Sequence, residues 1–158
     1  CKERFARRRD FKIWIYLAAK ELKIMKMTSN SEIYWEFIRV LRNDPLARQS
    51  SMNSKEIMIE EHRAYMETYG DQYYICTVRG KPAGYVGVDK RGYISVAVSS
   101  KFRQAGLGKF MIQYITEKYK GRKLYATVRN SNKASLALFE SCSFEYEFFI
   151  LEKMAHQK

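Results

Sequence analysis

Proline and cysteine are scarce in this chain of 158 residues, and each scarcity excludes something. Two prolines and eight glycines are too few for a collagen-like or linker-rich polypeptide. The three cysteines, Cys1, Cys76 and Cys142, are odd in number, widely spaced and free of any CxxC pair. That pattern argues against a disulfide framework and a zinc site, and for reduced thiols in a cytoplasmic protein. Cys76 lies in an apolar strand pattern and reads as a buried, inert thiol. No metal is expected. An apolar run of the roughly 20 residues that span a bilayer is also missing. The nearest approach, Ile13–Ala19, is at the lower limit for a signal peptide, and Lys20 and Glu21 follow at once.

What is abundant is positive charge, with a formal net of +12. Residues 1–27 hold nine Lys/Arg and three Asp/Glu, which is half of that excess in about a sixth of the chain. Such a balance suits nucleic acid, anionic lipid or a phosphorylated ligand, and charge alone does not choose among them. Hydrophobic content of 46%, with 15% aromatic, fits one globular domain. Residues 1–20 read as a basic, helical N-terminal extension and 21–158 as the domain. The extension either packs on the domain or lies on a membrane surface as a peripheral contact. The first residue is not Met, so the chain is read as starting within a longer product or after trimming.

Periodicity gives the order β-α-α-β-β-β-α-β-α-β. A strand is expected over about Leu22–Met27, then a helix that buries Ile33, Phe37, Val40 and Leu41 and ends at Pro45. After a polar loop, Ser54 caps a second helix from Lys55 to about Tyr69, which Gly70 stops. The runs "QYYICTV", "AGYVGVD" and "YISVAVS", joined by short glycine-bearing turns, form an antiparallel meander. A helix from about Ala105 to Tyr119 follows, then a strand "KLYATV", a helix "NKASLALFESC" and a terminal strand "FEYEFFILEK". The fold class is mixed α/β, one sheet with helices on both sides.

The segment "VAVSSKFRQAGLGKF" passes from strand to helix through a basic, glycine-bearing turn. A helix starting there leaves its first N–H groups unpartnered, and with the helix dipole they make an anion site. Gly106 and Gly108 let a bulky anion reach the backbone; Arg103 and Lys109 add charge. A P-loop needs GxxxxGK[ST] and a Rossmann turn needs GxGxxG; neither spacing is present. The same glycines also suit close helix–strand packing, so two readings stand at this point.

"RQAGLG" matches [RQ]-x-x-G-x-[GA], and "NSNKASLALFESCSF" further on is similar to N-x-x-A-x-x-[LF]-Y-x-x-x-G-F. Together they resemble the GNAT superfamily of acyl-CoA-dependent N-acetyltransferases, over nearly all of the chain beyond the first twenty residues. The resemblance implies acetyl-CoA as co-substrate. Its pyrophosphate is expected on Arg103, Gln104, Ala105, Gly106, Leu107, Gly108 and Lys109. Its pantetheine arm is expected along a strand splayed from its neighbour, at Val96, Ala97 and Val98. Asn132 and Ser135 are further cofactor contacts. Two positions depart from the pattern. Phe139 stands at the tyrosine that serves as general acid in the family, and Ser143 stands at a glycine. The acid is thus left open, and a non-catalytic acyl-CoA-binding module is an alternative.

The run "RNDPLARQSS" with the later "EH" resembles nucleotide-amino-sugar N-acetyltransferases of the pseudaminic-acid type, which act on a UDP-linked 4-amino-4,6-dideoxy sugar. That implies Arg42, Asn43 and Arg48 as acceptor contacts and His62 as a base, its imidazole having an ordinary pKa near neutrality. Each has a plainer reading: a solvated arginine, or a polar helix residue. Other acceptors within the same chemistry are a peptide or protein α-amine, a polyamine or a drug. Nucleic-acid binding is not expected, because the basic start lacks interleaved aromatics. The tyrosine cluster at 65, 69, 73, 74, 85 and 93 offers a replacement acid or a face for uracil. A monomer or a homodimer is expected.

Overall fold

The computed structural model describes residues 24–51, 53–148 and 150. The basic extension expected over 1–20 lies outside the described residues. The elements are β1 (Met25–Ser29), α1 (Glu32–Asn43), α2 (Pro45–Ser50), α3 (Ile59–Tyr69), β2 (Tyr73–Val78), β3 (Lys81–Val88), β4 (Ile94–Val98), α4 (Leu107–Lys118) and α5 (Lys133–Ser141). The four strands form one antiparallel sheet in the order β1-β2-β3-β4. The mixed α/β class expected from the sequence is the class observed.

Strand alternation divides the core in two. On one face Tyr74, Cys76, Val86 and Val88 meet Leu107, Met111, Ile112 and Ile115 of α4, with Phe139 of α5 beside them. On the other face Tyr73, Ile75 and Tyr85 meet Ile38 of α1 and Met66 of α3. Each fully buried Leu or Ile side chain contributes about 1.5–3 kcal/mol. The sheet is thus packed from both sides, and β4 is one of its edges.

Several expectations need correcting. On α1 the sheet takes Ile38, with Trp35 and Leu41, while Ile33 and Val40 are exposed. The helix carries apolar residues on two adjoining stripes, and only the packing against Ile75 and Tyr85 selects one. Pro45 starts a short helix instead of opening a loop; Asp44 caps it by accepting from the Leu46 and Ala47 amides. The next helix begins at Ile59, with Met58 rather than Ser54 at its N-cap. "KLYATV" contributes a single parallel bridge, Tyr93 to Tyr125, instead of a ladder. Residues 144–148 form no strand either; the remainder of that run falls largely outside the described residues.

Candidate active site

The absent ladder is the first feature of the site. The Ile94 amide donates to the Tyr125 carbonyl at 2.8 Å, and the Tyr125 amide donates to the Gly92 carbonyl at 2.9 Å. Among the described residues the pairing stops there, so β4 and the 124–128 segment diverge. Backbone direction alternates along a strand, so the groups of Val96 and Val98 point to the same edge as that Ile94 amide. That edge is open. Ala97 pairs with Tyr85 of β3 instead, and its side chain sits in the second core. Of the three β4 positions implied for the pantetheine arm, Val96 and Val98 present free backbone to the cleft and Ala97 does not.

Beyond β4 the chain makes a short turn at Ser100–Phe102 and reaches the arginine–glycine segment. Gln104 (φ 63°) and Gly106 (φ 76°) both adopt left-handed backbone around Ala105. Such a conformation turns successive amides toward one concavity. The first intrahelical bond of α4 runs from the Phe110 amide to the Gly106 carbonyl, so the amides of Leu107, Gly108 and Lys109 precede it. A side chain at Gly106 would stand in open space, where an anion can approach. Gly108 does something else: a Cβ there would lie 2.9 Å from Leu138 of α5. Its bareness serves helix packing. Leu107 gives its side chain to the core. Arg103 reaches within 4.0 Å of Asp44, both part-exposed, and Lys109 is exposed.

On α5, Asn132 is the N-cap and accepts from the Ser135 amide at 3.1 Å. Its carboxamide oxygen is therefore committed to the helix. Phe139 is buried in the core. Ser143 has φ 65°, the conformation for which a glycine is ordinarily used.

A second opening lies on the other face of the sheet. A cavity of about 180 Å³ is lined by Arg42, Tyr65, Tyr73, Asp89, Tyr93 and Ser95, among others. The Tyr65 and Tyr73 hydroxyls are 3.1 Å apart, and the Tyr85 hydroxyl lies 3.5 Å from Ser95 Oγ. Burial, then the contact with Tyr65, pushes the Tyr73 phenol far above its ordinary range; burial also raises that of Tyr85. Both are neutral donors at physiological pH. Burial works to raise the Asp89 carboxyl, but the Tyr93 and Arg91 amides and the Arg91 guanidinium outweigh it and hold it low. The cavity thus carries a cation, an anion and phenolic walls.

The other implied acceptor residues are placed elsewhere. Asn43 holds the backbone of Ile57 through two bonds, at 2.9 and 2.8 Å. Arg48 donates to the Ser54 carbonyl at 2.9 Å. With Arg39 on Ile57 and Arg129 on Ser51, they hold the backbone at Ser51, Ser54 and Ile57 ahead of α3. His62 is 3% exposed and its Nε2 is 2.8 Å from the Trp35 carbonyl. Nε2 carries the proton and donates, so the ring pins α3 to α1. Burial first, and then Arg42 and Arg39, lower its pKa against the opposing pull of the Trp35 carbonyl. Of the four, Arg42 alone lines the cavity. Asp89 and Ser95 were not legible as site residues: one sits in a hairpin turn and the other within a strand run.

Among the described residues, no group of three or more His, Cys, Asp or Glu stands close enough to hold a metal. No helix there is long and apolar enough to cross a membrane.

The fold is similar to that of spermidine N-acetyltransferase from Vibrio cholerae in complex with CoA and spermine, with a TM-score of 0.71 at 13% identity over 85% of this chain and 89% of that one. The GNAT-family acetyltransferase from Streptococcus pneumoniae gives 0.65 at 19% identity, covering 78% and 86%. Ribosomal-protein-alanine N-acetyltransferase from Brucella melitensis gives 0.64 at 22%, covering 76% and 84%. No curated protein sequence matches the chain. The family model for the acetyltransferase (GNAT) family matches residues 31–144, well over half of the sequence. That span takes in the open-edged strand, the arginine–glycine turn and both motif helices, and it makes this protein a member of the acetyltransferase (GNAT) family.

Proposed function

We propose that the protein transfers the acetyl group of acetyl-CoA directly to a primary amine, and that its preferred acceptor is a nucleotide-linked 4-amino-dideoxy sugar such as a UDP-sugar for surface glycan synthesis. One observation carries the reading: β4 serves two chambers at once. Val96 and Val98 turn free backbone to the cleft, while Ile94 and Ser95 line the tyrosine cavity. Donor and acceptor approach the same strand from opposite sides, which supplies the positioning on which such a transfer depends.

The residues fit the donor. The left-handed turn at 104–106 and the unpartnered amides of 107–109 suit a pyrophosphate, with Arg103 leaving Asp44 to grip its oxygens. The open edge suits the amides of a pantetheine arm. Acetyl-CoA brings an activated acyl group; the chain's part is to hold and orient it. The free amide on β4 polarises the acyl oxygen, so that a neutral amine can form the C–N bond as the C–S bond breaks. The amine sheds a proton to solvent, and the departing sulfur takes one from water. Phe139 has no proton to give. Among the described residues no cysteine–histidine pair is at the cleft, and no acyl-enzyme step is invoked.

Arg42 supports the acceptor class. It lines the cavity without an ion pair among the described residues, between phenols suited to hydroxyl groups and a sugar ring. That both substrates would be phosphorylated supports a cytoplasmic reaction. The test is initial rates with a panel: a UDP-4-amino-4,6-dideoxy sugar, spermidine and a peptide α-amine. The highest kcat/KM is expected for the sugar, and Arg42→Ala should raise its KM at least tenfold with the KM for acetyl-CoA unchanged. A higher kcat/KM for spermidine or the peptide overturns the acceptor class.

A further inference from the structure

Among the described residues, a dense cluster of positive charge outside the donor cradle lies at the opposite end of β4. The turn joining β3 to β4 carries Lys90 and Arg91, and the loop after α4 carries Lys120, Arg122 and Lys123. The two are locked together. Arg122 donates to the Asp89 carbonyl at 3.0 Å and also to the Lys90 carbonyl. Gly92 packs so tightly on the loop that a Cβ would lie 2.5 Å from the Lys123 carbonyl oxygen. The Arg91 guanidinium lies 5.2 Å from the Tyr93 ring centre, and the Tyr125 ring is tilted against it at 5.3 Å. All five cations are exposed.

These cations are not accounted for by the donor. Four steps of β4, about 13 Å of extended chain, and the 99–105 turn separate them from the Gly106 cradle. They adjoin the acceptor cavity instead, because Asp89 and Tyr93, which hold the shelf together, also line its wall. At about 180 Å³ the cavity is smaller than the roughly 300–1,000 Å³ of sites that enclose a whole drug-sized ligand. It admits an amine and the ring that bears it; whatever else the acceptor carries must lie at the mouth. A nearby shelf of lysine and arginine, with an arginine-backed tyrosine face, has the chemistry for a diphosphate and an adjoining base.

We propose that the shelf formed by Lys90, Arg91, Arg122 and Lys123 binds the diphosphate of the acceptor, with Tyr93 beside it. This rests on the acceptor class proposed above and assigns residues to it. It makes the protein a reader of two phosphorylated substrates at two ends of one strand.

The experiment is a calorimetric titration of UDP, and separately of inorganic pyrophosphate, into the full chain already saturated with CoA, so that the donor cradle is filled. Both are expected to bind, and Lys90→Glu/Lys123→Glu should weaken both at least tenfold while CoA affinity and melting temperature hold. Both lysines are exposed and neither ammonium makes a hydrogen bond among the described residues, and Lys90→Gln/Lys123→Gln serves as a milder second variant with a smaller loss in the same direction. Absence of binding to the CoA-loaded protein, or binding that both variants leave unchanged, overturns the shelf. The acceptor reading fails separately: UDP bound at the shelf without acetylation of the UDP-amino sugar would sink that reading and keep the site. Acetylation of the sugar with an unchanged KM in Lys90→Glu/Lys123→Glu would do the reverse.

Discussion

The amide of Phe144 donates to the carbonyl of Phe139 at 3.1 Å, and the two rings meet edge to face with centroids 5.1 Å apart. With the Ser143 amide on the Glu140 carbonyl at 3.0 Å, this is a Schellman ending, complete with its apolar contact. Its left-handed residue is Ser143, at φ 65°. A non-glycine residue there costs about 1–2 kcal/mol. Ser143→Gly is expected to relieve part of that cost and raise the melting temperature by roughly 2–4 °C per kcal/mol recovered. A thermal unfolding scan checks it, and kcat should not change.

The same contact explains Phe139. Where the family pattern has a proton-donating tyrosine, this chain has a ring that closes a helix end and fills the core. Phe139→Leu should therefore lower stability by about 1–2 kcal/mol and leave kcat and its pH profile as they are. Removal of a true general acid would cost about 10²–10⁴-fold. A loss of that size, in a variant that remains folded, would mean that the ring acts in the chemistry.

Gly106 and Gly108 look alike in sequence and do different work. Gly108→Ala forces a methyl group against Leu138, and overpacking of this kind costs about 1–3 kcal/mol. The double variant Gly108→Ala/Leu138→Ala should regain part of that stability, because the two sites share one space. CoA affinity should follow neither change, since alanine keeps the amide. Arg103→Ala is expected to do the converse, weakening CoA with little effect on the melting temperature. Equilibrium unfolding and CoA titration of the wild type and these three variants decide it.

Those two glycines also show how far the sequence could be read. The strand-to-helix turn was legible because its amides, its charge and its glycine at 106 are neighbours in the chain. The partner that makes Gly108 a packing residue, Leu138, is thirty positions away and carries no mark of it. The tyrosine cavity was less legible for the same reason. Arg42, Tyr65 and Ser95 come from three elements and Asp89 from a turn, and only the antiparallel register and the α1 orientation bring them to one cavity. The choice of stripe on α1 was misread because Ile33 and Val40 are as apolar as Ile38. Only the sheet decides between them.

Cys76 is buried, and burial pushes its thiol up to about 11, whereas Cys142 is half-buried. At pH 8 about one Cys76 in a thousand is then the reactive thiolate. Iodoacetamide at that pH should modify Cys142 well before Cys76 in the native protein, and both together in denaturant. Peptide mapping by mass spectrometry gives the order. Early modification of native Cys76 would mean that the first core opens readily.

His62 links stability to pH in a defined direction. Its folded pKa lies below its ordinary value of 6.5, chiefly through burial, with Arg42 and Arg39 adding to the effect and Glu36 and the Trp35 carbonyl opposing it. Between the folded pKa and 6.5 the unfolded chain binds the extra proton, so stability rises with pH across that window. The contribution is complete above 6.5 and is lost as pH falls through the folded value. Wild type should therefore lose melting temperature between pH 7.5 and 5.5 more steeply than His62→Gln, whose amide can keep a bond to the Trp35 carbonyl without titrating. The acid limb of kcat/KM separates this from a catalytic role. An imidazole that only pins α3 to α1 leaves the limb in place in His62→Gln; a limb that vanishes in the folded variant would make His62 the group that takes the amine's proton.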